Sequence, residues 1–125
     1  MKKLFFILIL IFFTAGVAFS QSIETEIREF SKREYPNDYK MQQYIYKQQM
    51  SAYKYMLTVT DSEVKQIAIH EYPNDYSMQQ YTYDNQLAAK RYMERVTDSN
   101  AKSRAQREYP NDYSMQKYTY DNIVY

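Results

Sequence analysis

EYPNDYKMQQYIY, residues 34–46, is the stretch that decides the fold, because the chain repeats it twice. It returns as EYPNDYSMQQYTY at 71–83 and as EYPNDYSMQKYTY at 108–120, so that the copies start 37 residues apart. The match extends beyond the motif, since Val59-Thr60-Asp61-Ser62 aligns with Val96-Thr97-Asp98-Ser99. A fixed period of this length indicates a repeat architecture, in which neighbouring units complete each other's cores.

Each copy of the motif contains a helix stop followed by a helix start. Proline lacks an N–H and disfavours a helical residue before it, so a helix must end near the Tyr that precedes it. We expect Asn37, Asn74 and Asn111 to be N-caps, with the following Asp in the first helical turn. Long helices are therefore predicted at about 38–59, 75–96 and 112–125.

A second break is predicted after each long helix. Thr60 and Glu63 have the spacing of a capping box, which starts a short helix ending near His70. Equivalent short helices are expected at about 23–33 and from Thr97 onward. This break contains neither Gly nor Pro, so two all-α arrangements remain open. One is a helical-hairpin repeat array of about two and a half units, and the other is a bundle of long helices broken only at the Tyr-Pro-Asn-Asp segments. The capping box favours the hairpins.

The long helices are predicted to have two apolar faces. At the helical period, one arc of the second long helix carries Met78, Tyr81, Ala89, Tyr92, Met93 and Val96, and another carries Tyr76, Tyr83 and Leu87. A helix with two apolar faces needs two neighbours, as an array provides. Gln79 and Gln86 border these arcs, where they can bind Tyr hydroxyls or free carbonyls. The units are expected at about 23–59, 60–96 and 97–125, in a single domain over 21–125.

The N-terminus has the pattern of a secretory signal. Lys2 and Lys3 precede an apolar run over 4–19, and small residues at Ala18 and Ser20 flank Phe19. We predict cleavage after Ser20 and export to the periplasm or beyond the cell. The alternative is a retained membrane anchor, but the apolar run is at or below the lower limit of about 17 residues for a spanning helix.

Removal of residues 1–20 leaves a near-neutral chain without Cys. Such a charge gives no electrostatic footprint for nucleic acid and no polybasic patch for a membrane surface. The absence of Cys and the single His argue against a tetrahedral zinc site, and no cofactor is expected. All 16 Tyr lie in this part, with few Leu or Phe, so the core should be rich in Tyr and Met.

The residues favour a protein that is not an enzyme. His70 aligns with Arg33 and Arg107, so a cation at a helix C-terminus explains all three positions. The Asn-Asp pairs are better explained as helix starts than as calcium ligands, because alternating acids and a Gly are missing. The only Gly, Gly16, lies in the predicted signal, which leaves none for a nucleophile elbow or a phosphate loop.

The segment Pro-Asn-Asp-Tyr-x-Met-Gln-x-Tyr resembles a motif of short, uncharacterised bacterial exported proteins. The resemblance covers the first half of each unit and implies no activity.

Recurring side chains suggest where a partner would bind. Tyr is favoured at interfaces, and helical arrays bind along one face. The candidate surface comprises Tyr44, Tyr81 and Tyr118, Gln42, Gln79 and Gln116, and Tyr53; Tyr53 and Tyr125 fall outside the main pattern and are expected to be exposed. The leading hypothesis is a protein-interaction module whose partner is a protein or a cell-envelope component. The alternatives are a glycan- or peptidoglycan-binding module and, more weakly, an inhibitor or immunity-type protein. Exposed apolar faces on so short an array also favour a homodimer.

Overall fold

A computed structural model describes residues 22–125, so the predicted signal peptide and its cleavage site lie outside the described residues. Every regular element in the described part is a helix, which confirms the all-α prediction. The helices are α1 (22–34), α2 (Tyr39–Thr58), α3 (Ser62–Glu71), α4 (Tyr76–Arg95), α5 (Ser99–Glu108) and α6 (Tyr113–Val124). Over residues 22–125, none of them is long and apolar enough to cross a membrane.

The chain divides into two compact units at Met50–Ser51, within α2. In the first unit, α1 buries Ile27 and Ser31, and the Ser31 hydroxyl donates to the Ile27 carbonyl at 2.9 Å. The Arg28 guanidinium lies 5.0 Å from the centre of the Tyr46 ring, which ties α1 to the first part of α2. The second unit contains the end of α2 and helices α3 to α6.

Successive helices of the second unit form hairpins, which confirms the first of the two predicted arrangements. Each short helix packs against the long helix that follows it, α3 on α4 and α5 on α6, and α4 packs on α6. The second predicted break is also real: Val96 is extended (φ −68°, ψ 146°), and so is Asp98 (φ −74°, ψ 100°). The chain therefore does not form continuous long rods.

The helix after each proline starts one residue later than predicted. Asp38, Asp75 and Asp112 are the N-caps, and their carboxylates accept from the N–H of Met41, Met78 and Met115 at 3.0–3.1 Å. The prediction that Asn would be the cap was wrong. The reason is a turn over Pro and Asn, closed at 3.3–3.5 Å by the Asp N–H on the carbonyl of the Tyr before Pro.

The caps of the later short helices are also Asp and not the predicted Thr. The Asp61 carboxylate accepts from the Val64 N–H at 3.0 Å, and Asp98 accepts from Ala101 at 2.9 Å. A carboxylate at this position satisfies a free N–H and also faces the positive end of the helix dipole. The capping box predicted at Thr60 is therefore not the device that starts α3.

A glutamine closes every proline corner. The Gln42 side-chain amide donates to the Tyr35 carbonyl at 2.7 Å, and Gln79 and Gln116 do the same, at the same distance, to Tyr72 and Tyr109. Each of these carbonyls also accepts the longer turn bond from the Asp N–H, at 3.3–3.5 Å, so it has two donors. Gln79 was expected to bind a Tyr hydroxyl or a free carbonyl; it binds a carbonyl that the turn already uses, and the Gln of the motif belongs to the architecture.

Two core clusters, one repeat apart, hold the second unit together. The first contains Met56, Val64, Ala68 and Tyr83, and the second contains Met93, Ala101, Ala105 and Tyr120. The Tyr hydroxyls of both clusters accept a backbone N–H at 3.2 Å, from Asp61 and Asp98 respectively. Each cluster contains one Met and one Tyr, and each Tyr hydroxyl holds the start of a short helix, but the other four members are Val64 and three Ala, so the core is less rich in Tyr and Met than predicted.

Polar side chains lie where α4 contacts the start of α6. Gln86 is 5% exposed; its oxygen accepts from the Tyr113 N–H at 2.7 Å, and its amide donates to Asp112 at 2.8 Å. The buried face of α4 is made of Gln79, Thr82, Tyr83, Gln86, Ala89 and Met93. Tyr81 lies outside it and is 63% exposed, so its assignment to an apolar packing arc was wrong.

Candidate binding site at the α3–α4 corner

Two positions of the repeated motif are not used to hold the fold. The first is the Tyr that follows the corner Gln: Tyr44, Tyr81 and Tyr118 are 54%, 63% and 62% exposed. The second is the leading Glu: Glu34, Glu71 and Glu108 each end a short helix and are exposed. In the second and third copies, most of the other chemically distinctive residues are engaged in the corner, the caps or helix contacts, whereas in the first copy Tyr39 is also exposed, at 72%. These two positions are therefore the candidates for binding.

The position of the leading Glu is electrostatically unfavourable. A carboxylate at the last residue of a helix faces the negative end of the helix dipole. Glu71 and Glu108 have no hydrogen-bond or ion-pair partner among residues 22–125 that would offset this. Packing and capping therefore give no reason for the recurrence of Glu at this position.

Glu71 and Tyr81 line the same cleft in the second unit. The cleft has a volume of about 210 Å³ and lies where the α3–α4 corner meets the start of α6. We call it the corner cleft; its other lining residues are Tyr72, Met78, Thr82, Asn85, Gln86, Asp112, Ser114 and Met115. The proline corner reverses the chain between α3 and α4, and this reversal brings two residues ten positions apart to one cavity.

A larger open groove continues from the corner cleft along α3. Its volume is about 850 Å³, and it shares Glu71 and Asp112 with the cleft. We call it the α3 groove; its other lining residues are Glu63, Gln66, Ile67, His70 and Asn111. Together the two cavities form a surface with an apolar part, made by Ile67, Met78 and Met115, beside carboxylates.

The lining of these two cavities is acidic. Neither the corner cleft nor the α3 groove has a Lys or Arg in its lining. Two further cavities of the second unit differ: one is lined by Arg95 and Lys117, and the other by Lys90 and Arg91. The second unit therefore has an acidic cavity surface beside α3 and basic residues in cavities elsewhere.

Glu63 is held in its charged form at the edge of the α3 groove. It accepts the Tyr113 hydroxyl at 2.5 Å and the Lys90 ammonium at 3.0 Å. The hydrogen bond from Tyr113, followed by that from Lys90, lowers the pKa of Glu63 below its usual range. Burial, and then the bond to Glu63, raises the pKa of Tyr113 to about 12. This bridge fixes α3 against α4 and α6.

Lys90 also binds the cap of α3. Its ammonium lies 2.9 Å from the second oxygen of Asp61 and 5.5 Å from the centre of the Tyr113 ring. The pKa of Asp61 is lowered, first by the hydrogen bond from the Val64 N–H and then by the bond from Lys90. The wall of the groove formed by α3 is thus fixed at its N-terminus.

His70 is exposed in the last turn of α3 and lines the α3 groove. This is the position at which a cation at a helix C-terminus was expected. No group of three or more His, Cys, Asp or Glu within residues 22–125 is arranged to hold a metal ion.

The predicted surface residues fall into two groups. Tyr44, Tyr81 and Tyr118 are exposed, and Tyr125 is 98% exposed, as expected. Tyr53, which was expected to be exposed, is half-buried, because its ring packs edge-to-face on Tyr76 with the ring centres 5.1 Å apart. The three glutamines belong to the second group: Gln42 is half-buried, Gln79 and Gln116 are 3% and 2% exposed, and their amides bind the corner carbonyls. Of the predicted surface residues, the exposed ones are therefore Tyr44, Tyr81 and Tyr118.

Sequence reasoning did not single out Glu71, Asp112 and Met115 as neighbours of Tyr81. The recurrence of the leading Glu was visible in the sequence, and it was the one available signal. The contribution of Asp112 and Met115 from α6 depends on how α4 and α6 pack. The repeat period in the sequence does not show which residues of α6 lie beside Tyr81.

Comparison of the chain with protein-family models, curated proteins and solved structures finds no match.

Proposed function

We propose that this chain is an exported, non-enzymatic module that binds another protein through the exposed tyrosines of its repeat. In the second unit, the binding surface is Tyr81 with the corner cleft and the α3 groove. The observation that carries the proposal is that Tyr44, Tyr81 and Tyr118 are all exposed at one motif position, at 54%, 63% and 62%, while the Gln and Asp of the same motif bind the corner and cap the helices.

An exposed Tyr at a repeated position suits an interface. A Tyr ring offers a large contact area with few rotatable bonds, and its hydroxyl adds a hydrogen bond. Burying about 100 Å² of ring surface contributes about 2.5 kcal/mol to association, before the costs of ordering are subtracted. The adjoining cavities extend this contact, because a partner side chain can enter beside the ring.

The sequence of the N-terminus supports an extracytoplasmic location. The pattern over residues 1–20 has the charged start, apolar run and small-residue exit of a secretory signal. We propose that the module acts in the periplasm or outside the cell, on a protein or a component of the cell envelope.

Site-specific photo-crosslinking tests the proposal. The side chain of Tyr81 is replaced by the photoreactive p-benzoylphenylalanine, and the protein is irradiated in a cell-envelope extract. We expect one adduct of defined mass from position 81. The matched control places the same group at Glu94, which is exposed on the same helix but lies outside both cavities. No adduct at 81, or the same adducts at both positions, would contradict the proposal.

Glycan binding is the second candidate, and one observation favours it. Each exposed Tyr is followed four residues later by an amide side chain, Gln48, Asn85 or Asn122, and Gln48 donates to the Tyr44 hydroxyl at 2.6 Å. A flat ring beside an amide is a suitable platform for a sugar. Sedimentation with purified peptidoglycan distinguishes the candidates. The protein module should stay in the supernatant, whereas sedimentation that is lost in a Tyr44→Ala/Tyr81→Ala variant would establish the glycan function instead.

A further inference from the structure

We infer that the corner cleft receives a lysine or arginine side chain from the partner, with the rest of the partner segment lying along the α3 groove. The inference rests on the proposed function and adds the chemistry of the partner.

The lining of the two cavities favours a cation. The corner cleft and the α3 groove are lined by the carboxylates of Glu63, Glu71 and Asp112 and contain no Lys or Arg. Glu63 already binds Lys90 and Tyr113, and Asp112 caps α6 and accepts from Gln86. Glu71 is the carboxylate with no partner among residues 22–125. A cation arriving in the cleft therefore finds a carboxylate that no Lys or Arg among residues 22–125 already pairs with.

In the corner cleft, the carboxylate of Glu71 lies beside an aromatic ring and two thioethers. Lys and Arg have an apolar stem and a charged head, and they bury the stem along apolar surface while the head stays polar. Met78 and Met115 line the cleft beside Tyr81 and provide surface for the stem. Glu71 provides the counter-charge, and the face of the Tyr81 ring attracts a cation by its quadrupole. An acidic or a purely apolar side chain would leave one of these features unused.

A bound cation would offset the unfavourable interaction between the Glu71 carboxylate and the negative end of the α3 dipole. Alone, this carboxylate opposes the dipole of α3, because it ends the helix. A cation beside it neutralises the carboxylate and also interacts favourably with the helix C-terminus. The same Glu ends α5 at Glu108, so the repeat keeps a residue that is unfavourable for the free chain and favourable for the complex.

The shape of the cavities assigns the cation to a peptide segment. The corner cleft, at about 210 Å³, is the smaller cavity, and it shares Glu71 and Asp112 with the groove of about 850 Å³ along α3. A free polyamine would use the carboxylates but not the apolar part at Ile67. A segment with a basic residue next to an apolar one uses both cavities.

The test is a titration of the full chain with short synthetic peptides that contain lysine, leucine and glycine, followed by the NMR signals of the Tyr81 ring. Matched peptides carry glutamine in place of every lysine, and spermidine represents the free polyamine. The lysine peptide should bind and shift the Tyr81 signals, and its affinity should fall as salt is raised. The glutamine peptide and spermidine should bind at least about fivefold more weakly, the factor expected for losing about 1 kcal/mol of contact.

Variants assign the effect to residues. Glu71→Gln should weaken the lysine peptide about fivefold or more, whereas Glu94→Gln, which makes the same charge change on the exposed side of α4, should leave it unchanged. Both positions are exposed, and circular dichroism checks that both variants keep the fold. Equal binding of the lysine and glutamine peptides, equal effects of the two variants, or equal binding of spermidine would overturn the inference.

The crosslinking experiment separates this inference from the proposed function. If the adduct at position 81 forms with wild-type yield in a Glu71→Gln background, the protein-binding function stands and the cation is wrong. If no adduct forms in either background and no peptide binds, both fail. A yield that falls in the Glu71→Gln background, but not in the Glu94→Gln background, supports both.

Discussion

Helices α3 and α5 occupy the same place in successive repeats, and they differ most on their outer sides. Their buried sides are similar but not identical: Ala68 corresponds to Ala105, and Val64 corresponds to the smaller Ala101, all between 0% and 3% exposed. Both start at an Asp cap and end at a Glu before the proline corner. Their outer sides are different, because Glu63, Ile67 and His70 are replaced by Asn100, Arg104 and Arg107.

The comparison distinguishes residues that hold the repeats together from residues that differ between copies. The caps, the corner Gln and the buried side pack successive repeats against each other, so they recur with little variation. On the outer side, Glu63 is bonded to Lys90 and Tyr113, whereas Ile67 and His70 have no such role within the described part of the chain. There α3 presents an apolar and acidic groove where α5 presents basic side chains. Binding specificity in this chain is therefore expected to differ between copies, although their architecture is shared.

The largest expected effect comes from making the buried side of α3 equal to that of α5. Val64 is 0% exposed, and Val64→Ala removes two methyl groups from the first core cluster. We expect the free energy of unfolding to fall by about 2 kcal/mol, from lost burial and the cavity that remains. Urea denaturation followed by circular dichroism measures it.

The reverse exchange is the control. Ala101 is 3% exposed within the second cluster, so Ala101→Val adds volume to a packed site and should also destabilise the protein, by about 1 kcal/mol. If Ala101→Val stabilised the protein, the second cluster would have unfilled space at Ala101, and the two clusters would not be equally well packed.

A smaller effect separates the two caps. Asp61 caps α3 and binds Lys90, whereas Asp98 caps α5 and has no ion pair within residues 22–125. Asp98→Ala should cost about 1 kcal/mol for the lost cap, and Asp61→Ala about 1 kcal/mol more. Denaturation of both variants and of the wild type at neutral pH gives the difference.

Lowering the pH tests the cause of that difference. The pKa of Asp61 is lowered in the folded protein, so the stability it contributes is present above the pKa of the unfolded chain. That contribution is lost as the pH falls through the folded pKa, because a protonated Asp61 no longer pairs with Lys90. The excess cost of Asp61→Ala should therefore shrink in acid, and an excess that is independent of pH would exclude the ion pair as its source.

The smallest expected effect concerns the Glu that ends each short helix. Glu71→Gln and Glu108→Gln should each raise the free energy of unfolding by about 0.3 kcal/mol, because a carboxylate is removed from the negative end of a helix dipole. Thermal unfolding at low salt is the sensitive measurement. Destabilisation by either substitution would mean that the carboxylate stabilises the fold, and the recurrence of Glu at this position would then need no binding role.

The sequence was sufficient for the parts of the fold that depend on neighbours along the chain. Proline at fixed positions gave the corners, and the period gave the units. The caps were misplaced by one residue because the turn over Pro36 and Asn37 is closed by the Asp38 N–H on the Tyr35 carbonyl. Asn is thus used inside the turn, and this depends on backbone geometry that a preference for capping residues does not include.

The binding site was less predictable, because its parts lie on helices that meet only in three dimensions. Hydrophobic periodicity placed Tyr81 inside and Gln86 at a border. In the structure, Gln86 is buried and binds Asp112 and the Tyr113 N–H at the start of α6, and Tyr81 is exposed. A buried amide is tolerated when all its bonds are made, and a pattern of apolar residues does not count such bonds.

The corner glutamines have a consequence for the order of folding. Each binds a carbonyl seven residues before it, a short separation along the chain. The loop to be closed is small, so its entropic cost is low, and such contacts form early. The bonds between α4 and α6, such as Tyr92 to Asp121 and Gln86 to Asp112, span 26 to 29 residues and require both helices. We therefore expect the corners to form first and the packing of α4 on α6 to limit the folding rate. Substitutions at the corners should then slow folding, whereas substitutions at the contacts between α4 and α6 should speed unfolding.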